Sequence, residues 1–146
     1  MTVSPIPDGY TAVTPMVIVA GADRFLEFVA AAFGAEPHGA VFRMPDGTIA
    51  HSEVTIDGAV IMVADATEEY PATASGIHLY VPDVDARFAA AVAAGATVKE
   101  EPTDQFYGDR SGSVIDPFGN LWSLAQHIEH ITDEVMAERM KQMFGG

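Results

Sequence analysis

In the first half of the chain, short apolar runs typical of strands lie before and after one segment whose apolar residues recur at helical spacing. Met16–Ala20 is apolar and β-branched, which predicts a buried strand. A helix is predicted from an N-cap at Asp23 to a stop at Gly34, because apolar residues between them recur at helical spacing. Three further strands, separated by turn residues, are predicted at Ala40–Met44, Thr48–Ile56 and Ala59–Ala64.

The second half of the chain repeats this order. Ile77–Val81 is a predicted strand, and the helix after it is capped by Asp83 or Asp85 and ended by Gly95. The two helix-ending glycines lie about 60 residues apart, and so do the two strongest hairpin turns, which favours a duplicated βαβββ module. The remaining strands are predicted at Thr97–Glu100, Arg110–Ile115 and Leu121–Gln126.

The boundaries of the two modules follow from turn and linker residues. The turn 116–120, DPFGN, joins the last two strands, and an amphipathic helix is predicted over Thr132–Phe144. Asp65–Ser75 is polar and acidic and is the predicted linker. We therefore predict an α+β fold in a single domain over residues 1–146, with modules at 14–65 and 75–127 and a C-terminal helical extension at 128–146.

Composition narrows the class of protein. The chain has no cysteine, which excludes disulfides and thiolate metal sites. Its formal charge of −14 repels phosphates, so we expect neither a nucleic-acid nor a membrane partner. The acidic surface favours solubility over a cationic partner. No signal peptide or membrane-spanning run is present in the sequence, and the expected location is cytoplasmic.

Three segments carry a family resemblance: IAHSEVTIDGAVIMVAD, HLYVPDVDARFAAAVAAGATV and DQFYGDRSGSVIDPFGNLWSLAQHIE. With the paired modules they resemble the vicinal oxygen chelate superfamily of glyoxalases, bleomycin-resistance proteins and dioxygenases, and within it the PhnB-like branch. The resemblance covers roughly Thr14 to Met136. It implies curled mixed sheets that form a cup for a small-molecule ligand. A homodimer is expected, with Val135, Met136 and Met140 partly buried beside or between subunits.

Enzymes of this superfamily hold a divalent metal at four strand positions. The resemblance places those positions at Thr14, Met62, Gly76 and Ser123. None is a good ligand for a hard cation, because a thioether and hydroxyls replace imidazole and carboxylate. We therefore expect no bound metal and no cofactor.

Strand alternation gives a second view of the candidate site. It places His51 and Glu53 on one face of their strand, and His78 with Tyr80 on the cup-facing side of another. His51 and Glu53 could act as a general acid–base pair or as ligands of a non-standard metal site. They could equally form a polar network that only shapes the cup.

The second module supplies further candidates. Asp109 and Arg110 form either an ion pair that fixes a loop or a site where the guanidinium recognises an anion. Tyr107 is a candidate wall for an aromatic ligand. The complete predicted ligand-binding set is His51, Glu53, Met62, His78, Tyr80, Tyr107, Asp109, Arg110 and Ser123.

Two functions of different classes are consistent with these residues. The first is a metal-independent small-molecule-binding protein that sequesters an antibiotic-like or aromatic metabolite. The alternative is a glyoxalase-type lyase or isomerase that uses a non-standard site around His51 and Glu53. A structural or regulatory dimer without a small ligand is the third possibility.

Overall fold

A computed structural model describes residues 2–145 of the chain. The end residues Met1 and Gly146, which belong to the predicted domain and its extension, lie outside the described residues. The chain divides into two compact units, one ending at Ser75 and the next beginning at Gly76. Each unit has its own mixed sheet, so the predicted α+β class is confirmed. The single-domain organisation over 1–146 stays a prediction.

The first unit contains one helix and a sheet with the strand order β1-β5-β4-β2, with β3 also paired to β4. Strands β1 and β5 are parallel, and the other pairs are antiparallel. The elements are β1 Met16–Val19, α1 Ala22–Phe33, β2 Glu36–Pro37, β3 Phe42–Arg43, β4 Ile49–Ile56 and β5 Ala59–Asp65.

Helix α1 buries its apolar stripe against this sheet, with Phe25, Val29 and Phe33 at most 1% exposed. Its N-cap is Gly21 in a left-handed conformation, not the predicted Asp23, which lies in the first helical turn. Gly21 has no capping side chain, and the carboxylate of Asp65 accepts the helix N–H groups in its place. The cap therefore comes from the end of β5, a partner that local sequence does not reveal.

The predicted strand Ala40–Met44 is only partly correct. Pairing there is limited to Phe42–Arg43, and its register with β4 shifts between the two residues. A separate short pairing forms earlier, at Glu36–Pro37. Gly39, with a φ of 76°, turns the chain between the two, so a continuous ladder cannot form.

The second unit repeats the pattern with the strand order β6-β9-β8-β7, in which β6 and β9 are parallel. Of the two predicted caps for its first helix, Asp83 is the one that accepts a bond, from the N–H of Ala86. The elements are β6 Gly76–Tyr80, α2 Val84–Ala93, β7 Thr97–Asp104, β8 Asp109–Ile115, β9 Leu121–His127 and α3 Asp133–Phe144.

The turn between β8 and β9 is organised by one buried carboxylate. Asp116 Oδ1 accepts the backbone N–H groups of Phe118 and Asn120 at 2.8 and 2.9 Å. Its Oδ2 accepts the side-chain N–H groups of Asn120 and Trp122 at 3.0 and 2.9 Å. Trp122 is fully buried, so the turn and the core of this unit share one hydrogen-bonded group.

The C-terminal extension is tied to the sheet through backbone contacts. The carbonyl of Gly108 accepts the N–H groups of Ile128 and Glu129, and Arg139 donates to the carbonyl of Phe106. Helix α3 begins after its N-cap Thr132, and none of its described residues is buried. In the part of the chain that is described, no helix is long and apolar enough to cross a membrane.

Asp116→Asn should destabilise the protein by about 3 kcal/mol, although the two side chains have the same shape. Asparagine has one acceptor oxygen where aspartate has two. Its NH₂ group would therefore face N–H donors at a position where four of them now converge. The midpoint of urea unfolding measures the change.

Asp57→Asn is the matched control for this substitution. Asp57 lies in the hairpin turn of the first unit with a φ of 47°, which asparagine tolerates, and it is exposed. Its effect should stay within about 0.5 kcal/mol. Equal losses for the two variants would contradict the role given to the Asp116 carboxylate.

Candidate functional site

The sheet of the first unit has one face covered by helix α1 and one face that carries polar side chains. In β4, Ser52, Val54 and Ile56 are buried, whereas His51 and Glu53 are partly exposed on the opposite side. The predicted alternation is confirmed over these residues. It fails at the start of the strand, where Ile49 is buried and Ala50 exposed, because the register with β3 shifts there.

A pocket of about 390 Å³ opens on this unit. Three methionines contribute to it, and two of them, Met16 and Met62, are register neighbours on the parallel strands β1 and β5. The apolar side chains of its wall are Met16, Ile18, Met44, Ile49, Ala50, Met62, Val63 and Ala64. The polar ones are Thr48, His51, Asp65, Thr67 and Tyr70. The pocket is therefore largely apolar, with few groups that can form hydrogen bonds to a ligand.

At one side of the pocket, a single carboxylate joins two other side chains. His51 Nε2 lies 2.7 Å from Glu53 Oε2, and the hydroxyl of Tyr10 donates to Glu53 Oε1. The ring of Tyr10 also meets His38 edge-on, with centroids 5.6 Å apart. The hydrogen bonds from Tyr10 and from His51 lower the pKa of Glu53, and the one from Tyr10 has the larger effect. The hydrogen bond between Tyr10 and Glu53 also raises the pKa of Tyr10. Glu53 is therefore ionised at neutral pH.

Tyr10 and His38 are absent from the predicted ligand-binding set. Tyr10 lies in an irregular segment rich in proline and glycine, where no periodicity relates it to β4. Its contact with Glu53 spans 43 residues of sequence. The only available signal is that Tyr10 is the sole aromatic residue of this segment, which is weak on its own.

Asp65 also borders the pocket, but its oxygens are committed to the backbone. Oδ1 accepts the N–H groups of Gly21 and Ala22, and Oδ2 accepts that of Ile49 at 2.7 Å. These bonds satisfy the carboxylate within the fold. His51 is therefore the more available polar group for a ligand.

In the second unit, three predicted residues lie together on the sheet. His78 and Ser123 are register partners on β6 and β9, with Nδ1 and Oγ 2.9 Å apart. The ring of Tyr80 meets that of His78 edge-on at 4.8 Å. Both His78 and Tyr80 are exposed, and Ser123 is half-buried. Hydroxyls and imidazole thus replace the thioethers that occupy the corresponding face of the first unit.

Of the two alternatives for Asp109 and Arg110, the ion pair between them does not form. Buried Asp109 lies 2.8 Å from Nδ1 of His127, whereas Arg110 binds Asp85 and Asp104. Consecutive residues of a strand point to opposite faces, so the two side chains cannot meet. The guanidinium is already engaged by two carboxylates, which leaves less of it for an anionic ligand.

Tyr107 lies next to this group, with its hydroxyl 3.2 Å from Ser111 Oγ. Its ring meets that of Phe106 edge-on at 5.2 Å. It is half-buried, and its hydroxyl has a partner within its own unit. Its role as an aromatic wall stays a prediction.

The residues present do not fit the divalent metal that the superfamily resemblance implies. Two of the four positions that the resemblance assigns to metal ligands are already bonded within the fold. Thr14 donates to the carbonyl of Thr11, and Ser123 lies within hydrogen-bonding distance of His78. Met62 offers only a thioether, which is a poor donor for hard cations. Across residues 2–145, no group of three or more His, Asp or Glu side chains is arranged to hold a metal ion.

Comparison with known proteins places this geometry in context. Residues 11–124 match the model of the glyoxalase/bleomycin resistance protein/dioxygenase superfamily. An uncharacterized protein of Mycobacterium bovis is 38% identical over 143 residues, which cover 90% of this chain and 93% of that protein. An uncharacterized protein of Mycobacterium tuberculosis is also 38% identical to this chain, and the matched residues cover 90% of this chain and 84% of that protein.

Solved structures show the same fold. The crystal structure of TioX from a Micromonospora species is 28% identical and superposes with a TM-score of 0.63, covering 80% of this chain and 100% of that chain. A glyoxalase/bleomycin resistance protein/dioxygenase from Nocardioides is 19% identical, with a TM-score of 0.61 and 90% of each chain covered.

The Glu53 cluster predicts a pH dependence of stability. Because the pKa of Glu53 is lower in the folded chain than its ordinary value of 4.5, its hydrogen bonds stabilise the fold above that pH. The contribution is lost as pH falls from about 4.5 through the folded value. Urea unfolding of Glu53→Gln should therefore show a smaller loss of stability between neutral and acidic pH than the wild type does.

Glu68→Gln provides the control, since Glu68 is an exposed glutamate of the same unit. It should follow the wild-type curve. If Glu53→Gln also follows that curve, Glu53 does not have the bonded, ionised state described above.

Proposed function

We propose, from the premise that the chain belongs to the glyoxalase/bleomycin resistance protein/dioxygenase superfamily, that it binds a small, largely apolar molecule without a metal ion. The observation that carries the proposal is the pocket of about 390 Å³ in the first unit, with its methionine-lined wall. A pocket of this size and polarity is typical of small-molecule sites. Within the superfamily, the three matching segments favour the PhnB-like branch.

The chemistry of the wall indicates what kind of ligand fits. Thioethers are polarisable and make favourable contacts with aromatic ring edges. Met16, Met44 and Met62 therefore suit a flat aromatic ligand better than a sugar or a peptide. The formal charge of −14 disfavours polyanionic ligands, because the field of the whole protein repels them.

One polar contact can orient such a ligand. His51 lines the pocket, and Nε2 is bonded to Glu53, so in the neutral ring Nδ1 can accept a hydrogen bond. A ligand that combines an aromatic body with one hydroxyl satisfies both parts of the site. Antibiotic-like and aromatic metabolites of this type are the ligands that we propose for sequestration.

The second unit and the assembly enter the proposal only as predictions. His78, Tyr80 and Ser123 form a hydrogen-bonded, aromatic group within the second unit, and their role in ligand binding stays a prediction. Tyr107, Asp109 and Arg110 are each bonded within their own unit. A homodimer stays a prediction. Helix α3 leaves Val135 and Met140 40% and 46% exposed, which is consistent with a partner covering them.

Met62→Gln should weaken binding of 2-naphthol by about fivefold to tenfold, because a polar amide replaces apolar contact area in the pocket. Isothermal titration calorimetry measures the dissociation constant. Met143→Gln is the matched control, since Met143 is 58% exposed on helix α3. Equal affinity of all three proteins would contradict the assignment of the pocket. Failure of the wild type to bind any aromatic probe would contradict the proposal as a whole.

Elemental analysis of the purified protein should find divalent metals far below one equivalent per chain. The reason is the donor set at Thr14, Met62, Gly76 and Ser123, which lacks carboxylate and imidazole. Binding of 2-naphthol should be the same before and after treatment with a chelator. One equivalent of zinc, nickel, iron or manganese, with binding abolished by the chelator, would overturn the metal-independent function.

A further inference from the structure

We propose that His51 is a general base that removes a proton from a carbon acid bound in the pocket. The inference rests on the proposed binding function and adds a reaction to it. It also gives a concrete form to the alternative lyase or isomerase activity. Glu53 and Tyr10 fix the position of His51, and the groups that line the pocket limit which substrates His51 can act on.

The hydrogen bonds of Glu53 select one tautomer of His51. Oε2 of Glu53 lies 2.7 Å from Nε2, and a carboxylate can only accept, so Nε2 carries the proton. Oε1 is held by the hydroxyl of Tyr10, which prevents the carboxylate from rotating away. In the neutral ring the lone pair therefore resides on Nδ1. A carboxylate orients the histidine base of hydrolases by the same kind of bond, with the roles of the two ring nitrogens exchanged.

Nδ1 is available to a ligand. Among residues 2–145, no side chain or backbone group forms a hydrogen bond to it. The side chain of His51 is 37% exposed and lines the pocket, whereas that of Glu53 is 15% exposed. A base in this position can reach a bound molecule and still return its proton to water.

The other titratable groups near His51 do not compete for this role. Glu53 and Tyr10 are bonded to each other, and the ring of His38 meets that of Tyr10 edge-on. Asp65 accepts three backbone N–H groups. Among the described residues that line the pocket, none is lysine or arginine, so no cation stabilises a localised oxyanion there.

This environment defines the reaction class. Nδ1 takes the proton of an acidic C–H bond, and the electron pair of that bond forms a new π bond. In an elimination, the bond to a leaving group on the adjacent atom breaks, and the leaving group departs with its electron pair. Because the pocket is apolar, the substrate must delocalise the developing charge itself, as conjugated and aromatic carbon acids do. The imidazolium, paired with Glu53, then releases the proton to water.

The probe 5-nitrobenzisoxazole tests this chemistry without knowledge of the natural substrate. It is flat, neutral and aromatic. Loss of its ring C–H proton forms the nitrile as the N–O bond breaks, and the product 2-cyano-4-nitrophenolate absorbs visible light. The wild type should accelerate this opening about 100-fold or more over an equal concentration of free imidazole.

Variants separate the roles of the residues. His51→Gln should lose the acceleration, a fall of about 100-fold, while 2-naphthol still binds. Glu53→Gln should lower kcat about tenfold or more with little change in KM, because an amide no longer selects the tautomer. His130→Gln is the control, since His130 is exposed beyond the sheet, and its rate should equal that of the wild type. Circular dichroism melting confirms that each variant is folded.

The outcomes distinguish this inference from the proposed function. A wild type that binds 2-naphthol and the probe without acceleration overturns the inference and leaves the binding function in place. Acceleration that survives in His51→Gln also overturns it. A wild type that binds neither molecule contradicts the binding function and, with it, the inference.

Discussion

The carboxylate of Asp65 is the constraint on which the first unit depends. It accepts the N–H groups of Gly21 and Ala22 at the start of helix α1 and that of Ile49 at the start of β4. One side chain at the end of β5 therefore joins β5 to the starts of α1 and β4. In the second unit, Gln126 on β9 accepts the N–H of Val84, the first residue of α2. In each of the two units the last strand thus bonds the start of the helix, once with a carboxylate and once with an amide.

The two sheets have the same topology but carry different chemistry on their uncovered faces. The parallel pair β1 and β5 places Met16 beside Met62, and the parallel pair β6 and β9 places His78 beside Ser123. One face is therefore thioether-rich and the other hydroxyl- and imidazole-rich. The chain belongs to the superfamily, and the positions that the resemblance assigns to metal ligands hold Thr14, Met62, Gly76 and Ser123. Glu53, held by Tyr10 and His51, places an ionised group beside the apolar pocket.

Sequence reasoning located most elements because their signals are local. Helix ends at glycine, the hairpin turns and the alternation of His51 with Ser52 each depend on a few neighbouring residues. It missed Tyr10 because that contact links an irregular segment to a strand 43 residues away. For Asp109 and Arg110, sequence adjacency left an ion pair and an anion-recognising guanidinium as alternatives. Strand geometry excludes the ion pair, because it sends the two side chains to opposite faces.

The central claim is that the methionine-lined pocket binds an aromatic molecule without a metal. The most direct measurement is NMR of the protein with ¹³C-labelled methionine methyl groups, titrated with 2-naphthol in the presence of a chelator. The methyl resonances of Met16, Met44 and Met62, which line the pocket, should shift together and saturate. Those of Met136, Met140 and Met143 on helix α3 should not move. Shifts confined to the α3 methyls, or none that saturate, would contradict the account.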